Sequence, residues 1–112
     1  FKTDYPRFNF LDYPQLSFEM PDRKTFKNLD LAYLALEFGG NVPCALNAAN
    51  EIAVEAFLKG KISFLEIGEI NEQVLRDART VQAPTLTDFL ATDKEARRLA
   101  EELISGFIAN IN

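Results

Sequence analysis

The chain has 112 residues, of which 47% are hydrophobic and 26% are charged, and its net charge is −5. This length corresponds to one domain, large enough to bury a core without a metal or a disulfide to hold it. With no histidine and a single cysteine, the sequence excludes a Ser-His-Asp triad, a His-ligated metal and an intrachain disulfide.

Residues 1–22 differ in composition from the rest of the chain. They contain six of the 13 aromatic residues and three of the five prolines. Prolines at this density favour extended backbone, and residues 16–20 alternate apolar and polar side chains as a short strand does. We predict an extended, strand-containing linker over residues 1–22 and a helical domain over residues 23–112. So many aromatic residues are unusual in a free tail, so we expect the linker to lie against this domain or against another part of a longer chain.

A helical pattern begins at about Asn28 and continues through two helices. Apolar residues at three- and four-residue steps predict the first helix, which Gly39-Gly40 ends. These residues form two stripes, one of Leu29, Ala32 and Leu36 and the other of Leu31, Ala35 and Phe38. Asn41 is a plausible cap for a second helix over residues 43–58, with Pro43 in its first turn. Its predicted inward face is Ala45, Leu46, Ala49, Ile52, Ala53, Ala56 and Phe57, and with Ala48 its alanines allow a close helix contact.

Two capping boxes predict where the later helices begin. Residues 63–66 open a third helix that ends near Asp77, and Gly68 inside it implies a close helix contact. Its predicted buried face is Ile67, Ile70, Val74 and Leu75. Residues 78–86 are predicted as a loop and residues 87–91 as a single turn, before a second capping box at residues 92–95 opens the last helix. The apolar stripe of that helix is Ala96, Leu99, Ala100, Leu103, Phe107 and Ile111. These segments predict a mainly α fold, a small antiparallel bundle of about four helices.

Few residues in this chain suggest chemistry. Glu66, Glu69 and Glu72 lie three apart on one predicted helix. Carboxylates at this spacing either ligate a hard cation or form a solvated helix face. Cys44 lies at a helix N-terminus, a position that lowers the pKa of a thiol, unless it is a small buried side chain. A basic cluster precedes the first helix and fits either a phosphate contact or a solvated helix entry. This cluster is Arg23, Lys24 and Lys27.

Two mid-helix asparagines stand out because asparagine is a poor helix former. These residues are Asn47 and Asn50, and Asn47 forms an i,i+4 line with Glu51 and Glu55 beside the alanines. These side chains fit a polar contact to a loop, a partner domain or a ligand. They equally fit amides that satisfy backbone groups inside the bundle. The sequence has no glycine-rich nucleotide-binding loop, its acidic balance argues against a nucleic-acid partner, and its longest apolar run, residues 31–36, is too short for a membrane span.

Residues 40–58 carry a specific resemblance, centred on the hexamer LNAANE at residues 46–51. This stretch closely resembles the C-terminal part of the 1-deoxy-D-xylulose 5-phosphate reductoisomerase family. Residues 16–22 resemble the segment that links the catalytic region of that family to its last domain. Residues 62–67 and 93–97 fit the same register, so the resemblance spans nearly the whole chain.

The resemblance implies a parent enzyme of the non-mevalonate isoprenoid pathway. That enzyme isomerises 1-deoxy-D-xylulose 5-phosphate and reduces the product with NADPH to 2-C-methyl-D-erythritol 4-phosphate, using Mg²⁺ or Mn²⁺. None of the family's cofactor, metal or catalytic residues matches a position here, so the chain is expected to hold no such site and to be inactive alone. Its expected partners are the catalytic and NADPH-binding domains of a cytoplasmic, homodimeric parent.

The place where the chain opens fits this expectation. It begins at Phe1 in the middle of a pattern and without the architecture of a signal peptide. We therefore expect a piece of a longer protein, in which these residues form a C-terminal support domain. The alternative interpretation is a free-standing helical module for protein–protein interaction.

Overall fold

The computed structural model describes residues 27–111, with side chains described from residue 27 to residue 108. This part of the chain forms α1 (Lys27–Phe38), α2 (Val42–Leu58), α3 (Phe64–Asp77) and α4 (Leu86–Ile111). The prediction of a mainly α domain with four helices is confirmed. The predicted linker, its strand and two members of the basic cluster, Arg23 and Lys24, lie outside the described residues. No helix within the described range combines the length and the apolar character that crossing a membrane requires.

The second helix is the centre of the domain, because α2 packs against each of the other three helices. Its inward face is made of buried alanines, namely Ala45, Ala48, Ala49, Ala53 and Ala56. An alanine adds only one methyl group beyond the backbone, so neighbouring helices approach α2 closely, as predicted. Phe57, which we predicted to face inward, is instead 36% exposed. Its ring meets Phe64 edge to face, with the ring centroids 5.9 Å apart.

Buried apolar side chains from the other three helices surround the alanine face of α2. Each buried leucine, isoleucine or valine contributes about 1.5–3 kcal/mol to folding, so these contacts dominate the stability of the bundle. The buried members are Leu31 and Leu34 of α1, Ile67, Ile70, Val74 and Leu75 of α3, and Ala96, Ala100 and Ile104 of α4. The predicted buried face of α3 is therefore confirmed.

The close contact predicted at Gly68 is present. Gly68 is buried in α3, and a Cβ built on it would lie 3.2 Å from the side chain of Lys27 at the start of α1. A glycine inside a helix costs about 1 kcal/mol relative to alanine. Here the glycine allows α3 and α1 to approach closely, and this packing explains why a glycine stands inside the helix.

The connection between α1 and α2 lies against the connection between α3 and α4. Gly39 and Gly40 have φ angles of 75° and 57°, which favour glycine. At Gly40 a Cβ would also overlap the carbonyl oxygen of Val81. The backbone N–H of Asn41 donates to that same oxygen over 3.0 Å. The two connections therefore touch through their backbones, which leaves no room for a side chain at residue 40.

The start of α4 differs from the prediction. The helix begins at Leu86 and runs without a break to Ile111, so the separate turn over residues 87–91 and the capping box at Thr92 are both wrong. The capping box lies at Thr85 and Asp88, whose side chains each accept from the other's backbone N–H, at 3.0 and 3.2 Å. Leu86 and Leu90 are 74% and 65% exposed. Because the first turns of α4 have no continuous inward stripe, the apolar pattern did not reveal them.

Candidate functional site

The asparagines of the LNAANE hexamer lie where α2 meets α1 and α3. Asn50 is half-buried, and its Oδ1 accepts a hydrogen bond of 2.9 Å from the Nδ2 of Asn71, a fully buried residue of α3. The same Nδ2 group donates to the Oδ1 of Asn28 on α1 over 3.0 Å. Asn71 therefore ties three helices together through a single carboxamide.

A groove of about 350 Å³ opens beside this network, and we call it the asparagine groove. Four of its lining residues are Asn28, Asn47, Asn50 and Asn71. The other five are Ala32, Ala35, Leu36, Pro43 and Leu46. None of the nine carries a charge, so the groove suits a neutral group with apolar parts and hydrogen-bonding atoms better than a phosphate or a metal ion.

Asn71 also carries an unsatisfied atom beside the groove. Its Oδ1 is buried and has no hydrogen-bond partner among the described residues. A buried carbonyl oxygen without a donor costs about 1–3 kcal/mol. The position of Asn71 gave a signal that our sequence analysis missed, because it is a polar residue on the same helical face as Ile67 and Val74.

The acidic residues of α2 are engaged in ion pairs rather than in an open site. Glu51 accepts a hydrogen bond of 2.7 Å from Arg97 of α4, and Asp93 accepts another from the same guanidinium over 2.9 Å. These two carboxylates raise the pKa of Arg97. Glu55 lies 3.0 Å from Lys59, whose hydrogen bond and charge lower the pKa of the Glu55 carboxyl. Of the hypothesised polar line, only Asn47 lies exposed at the groove.

The surroundings of Cys44 disfavour its thiolate form. Burial raises its pKa, the nearby charge of Asp93 raises it further, and the opposing effect of Arg97 is smaller. The thiol donates to the carbonyl oxygen of Phe89, with 3.6 Å between sulfur and oxygen. Of the two interpretations of Cys44, the raised pKa favours a structural side chain over a thiol activated at the helix N-terminus.

The three glutamates of α3 do not form a cation site. Glu66 accepts a hydrogen bond of 2.7 Å from the backbone N–H of Ser63, which confirms the predicted capping box. Glu72 accepts from Lys27 at 2.7 Å and from Arg76 at 2.9 Å. Burial alone would raise the pKa of Glu72, but these hydrogen bonds outweigh it and lower the pKa. In the described part of the chain, no cluster of three or more Asp, Glu or Cys side chains is placed to hold a metal.

Asn41 is a structural residue whose role the sequence did not reveal. Asn41 occupies the N-cap position of α2, as predicted, but its side chain makes no cap hydrogen bond to that helix. Instead its Nδ2 donates to the carbonyl of Arg79 at 2.9 Å and to the hydroxyl of Thr92 at 2.7 Å, and its Oδ1 accepts from the N–H of Val81 at 2.7 Å. These partners are distant in sequence, so no local pattern could indicate them.

A family model and the sequences of known proteins both relate this chain to DXP reductoisomerases. The family model described as "DXP reductoisomerase C-terminal domain" matches residues 2–99. The 1-deoxy-D-xylulose 5-phosphate reductoisomerases of Phocaeicola vulgatus and Bacteroides thetaiotaomicron are 48% and 49% identical to this chain. These matches cover 93% and 91% of this chain but 27% and 26% of the relatives.

A solved structure of an enzyme with the same name is also similar to this chain. This is the 1-deoxy-D-xylulose 5-phosphate reductoisomerase from Zymomonas mobilis in complex with NADPH, 42% identical, with a TM-score of 0.66. The match covers 93% of this chain and 28% of that one, so the chain spans about a quarter of the length of these relatives. Because the family match extends over nearly all of the sequence, the chain belongs to the family of DXP reductoisomerase C-terminal domains.

Proposed function

We propose that this chain is the helical support domain of a 1-deoxy-D-xylulose 5-phosphate reductoisomerase. The rest of the parent protein carries the chemistry, in which 1-deoxy-D-xylulose 5-phosphate is isomerised and the product is reduced with NADPH to 2-C-methyl-D-erythritol 4-phosphate. The observation that carries the proposal is the family match over residues 2–99. The relatives that match at 48–49% identity bear the name of this enzyme.

The side chains of this chain support a structural role. Two of the ion pairs hold helices together, as Glu51 and Arg97 join α2 to α4 and Glu72 and Lys27 join α3 to α1. The pKa of the Cys44 thiol is raised, which disfavours the nucleophilic thiolate. These interactions stabilise the packing of the helices, which suits a domain that braces a catalytic neighbour.

The cofactors of the parent enzyme belong to its other domains in this proposal. NADPH carries phosphate groups, which would need cationic side chains or helix N-termini, and the asparagine groove has no charged lining residue. Mg²⁺ or Mn²⁺ would need a cluster of oxygen ligands, and the described carboxylates form no such cluster. Neither group fits the described residues, so we assign these residues no part in binding them.

We also propose the partners and the location of this domain. Its partners are the catalytic and NADPH-binding domains of the same parent chain, and the parent is a homodimer in the cytoplasm. The single cysteine fits a reducing compartment. A free-standing interaction module is not favoured, because the matched family is a domain of this enzyme.

An activity assay tests this division of labour. The chain of 112 residues is mixed with 1-deoxy-D-xylulose 5-phosphate, NADPH and Mn²⁺, and NADPH oxidation is followed by absorbance. We expect no turnover above a blank without protein, whereas the Bacteroides thetaiotaomicron enzyme under the same conditions turns over. Circular dichroism on the same sample establishes that the chain is helical. Turnover by the chain alone would overturn the proposal.

A further inference from the structure

The first helix has an apolar stripe that the described bundle leaves uncovered. Leu31, Leu34 and Ala35 of α1 are buried against the core, whereas Leu29 and Leu36 are 47% and 75% exposed. A helix that is apolar on two sides is usually covered on both. The exposed side of α1 borders the asparagine groove, because Leu36 is one of the residues that line it.

The asparagine groove has a definite chemistry. Its apolar walls suit hydrocarbon or aromatic side chains, and its lack of charge disfavours an ionic ligand. The Nδ2 group of Asn50 and the carboxamide of Asn47 have no hydrogen-bond partner among the described residues, so they are available to bind backbone carbonyl groups. The surface therefore fits an extended length of polypeptide whose side chains facing the groove are apolar, with its backbone carbonyls on the amides.

The segment that precedes α1 in this chain has this chemistry. Residues 16–20 read Leu-Ser-Phe-Glu-Met, in which every second residue is apolar, and Pro21 follows. In a strand, the three apolar side chains would share one face. A strand of five residues is about 16 Å long. The groove borders α1 from Asn28 to Leu36, which is about 12 Å along a helix.

The connection to α1 is short enough for this segment to reach the groove. Residues 21–26 separate the segment from Lys27 at the start of α1, and the next residue, Asn28, lines the groove. A segment tethered by a short peptide reaches an effective concentration of about 1 mM or more, so even a weak intrinsic affinity fills the site. The family match begins at residue 2, which places residues 16–20 inside the domain shared by the relatives.

We propose that residues 16–20 of this chain dock in the asparagine groove, with Leu16, Phe18 and Met20 as the side chains that contact it. The proposal goes beyond the support role and concerns the chain by itself, so it can fail while the support role holds.

Thiol accessibility in the complete chain of 112 residues tests this docking. In a Cys44→Ala background, single cysteines are placed by Leu36→Cys in the groove and by Leu58→Cys at the end of α2. Both leucines are 75% exposed in the described structure, so the two sites form a matched pair. The measurement is the rate of reaction with a water-soluble maleimide, normalised to the rate in denaturant.

Docking by residues 16–20 predicts that the Leu36→Cys thiol reacts about tenfold more slowly than the Leu58→Cys thiol, since about 90% occupancy leaves the site open a tenth of the time. Phe18→Asp removes the central apolar side chain and should restore the fast rate. Phe8→Asp, the same change elsewhere in the preceding segment, should leave the protection intact.

Three results would overturn the proposal. The first is equal rates at the two cysteines in the chain with Phe18 intact. The second is protection at Leu36→Cys that survives Phe18→Asp, because a different occupant would then cover the groove. The third is protection that rises with protein concentration, which identifies that occupant as a second copy of the chain.

Discussion

Asn41 shows how much of this fold depends on one buried side chain. Its carboxamide bonds to the connection between α3 and α4 at Arg79 and Val81 and to Thr92 of α4. Asparagine fits this position because it offers two N–H donors and an acceptor from one planar group. A residue that the sequence identifies as a helix cap occupies that position, but its side chain connects distant parts of the chain.

Replacing this side chain should therefore be costly. We expect Asn41→Ala to lower the free energy of unfolding by about 3 kcal/mol, because it leaves a buried N–H and buried oxygens without partners. Urea denaturation followed by circular dichroism measures the loss. The exposed Asn47→Ala is the matched control and should change stability by less than about 0.5 kcal/mol.

A second substitution separates the tie from a cap. Serine is as good a helix cap as asparagine, but its hydroxyl has only one donor. Asn41→Ser should therefore lose nearly as much stability as Asn41→Ala. If Asn41→Ser were as stable as the unmodified chain, Asn41 would be a cap and the tie would be unimportant.

Glu72 gives the domain a predictable dependence on pH. Hydrogen bonds from Lys27 and Arg76 lower its pKa below the ordinary 4.5 in the folded state. A carboxyl whose pKa is lowered by folding stabilises the protein above its unfolded pKa, and this stabilisation is lost as the pH falls through the folded pKa. At neutral pH we expect Glu72→Gln to lower the free energy of unfolding by about 1 kcal/mol, a modest figure because the pair is partly exposed.

The pH dependence of that difference is the distinctive result. The gap between the unmodified chain and Glu72→Gln should narrow as the pH falls below 4.5, where Glu72 takes up a proton even in the folded state. Glu69→Gln changes an exposed carboxylate of the same helix and should have little effect at either pH. A gap for Glu72→Gln that stays constant down to a pH of about 2 would contradict the role of the ion pairs.

At the scale of helices and connections, Gly39 and Gly40 are glycines for different reasons. One reason is a positive φ angle and the other is the lack of space for a Cβ. Both residues have positive φ, but only at Gly40 would a Cβ overlap a neighbouring backbone, at Val81. Gly39→Ala should cost about 1 kcal/mol from the backbone conformation alone. Gly40→Ala should cost about 3 kcal/mol or more, since the contact between the two connections must open.

Denaturation midpoints of the two glycine variants measure this difference. Gly106→Ala lies in the interior of α4, where nothing lies within 4 Å of an added Cβ, and it serves as a control that should be neutral or stabilising. Equal losses for Gly39→Ala and Gly40→Ala would contradict the close backbone contact.

The helices themselves were largely predictable from the sequence, and the exception has a physical reason. Apolar periodicity gave α1, α2 and α3 to within a residue or two, because each has a continuous buried stripe. The first turns of α4 have none, since Leu86 and Leu90 are exposed. The capping box of that helix uses Thr85 and Asp88, and the similar pattern at Thr92 was mistaken for the start.

At the scale of the whole molecule, the bundle was predictable and the ties between its elements were not. Alternation of apolar and polar residues records which face of a helix is buried, and so it predicts a core of alanines on α2. It carries no information about which distant residue a buried Asn41 or Asn71 will meet. The asparagine groove was not predictable from the sequence either, because it exists only once α1, α2 and α3 are packed together.

The ion pair of Glu51 and Arg97 could not be predicted from the sequence either, although both residues belong to stretches that resemble the family. The resemblance pointed to the domain, and the structure then showed that these side chains join α2 to α4. The candidate site is therefore an outcome of packing, and the functional conclusion depends on the family match and on the engagement of the charged side chains together.

The most direct test of the support role is a domain exchange. The corresponding C-terminal part of the Bacteroides thetaiotaomicron reductoisomerase, which is 49% identical over 102 residues, is replaced by this chain. We predict that the enzyme without its C-terminal domain is inactive and that the chimera recovers kcat/KM to within about tenfold of the intact enzyme, a loss of at most about 1.4 kcal/mol of transition-state stabilisation. A chimera that is folded by circular dichroism yet inactive, or a truncated enzyme as active as the intact one, would contradict this account.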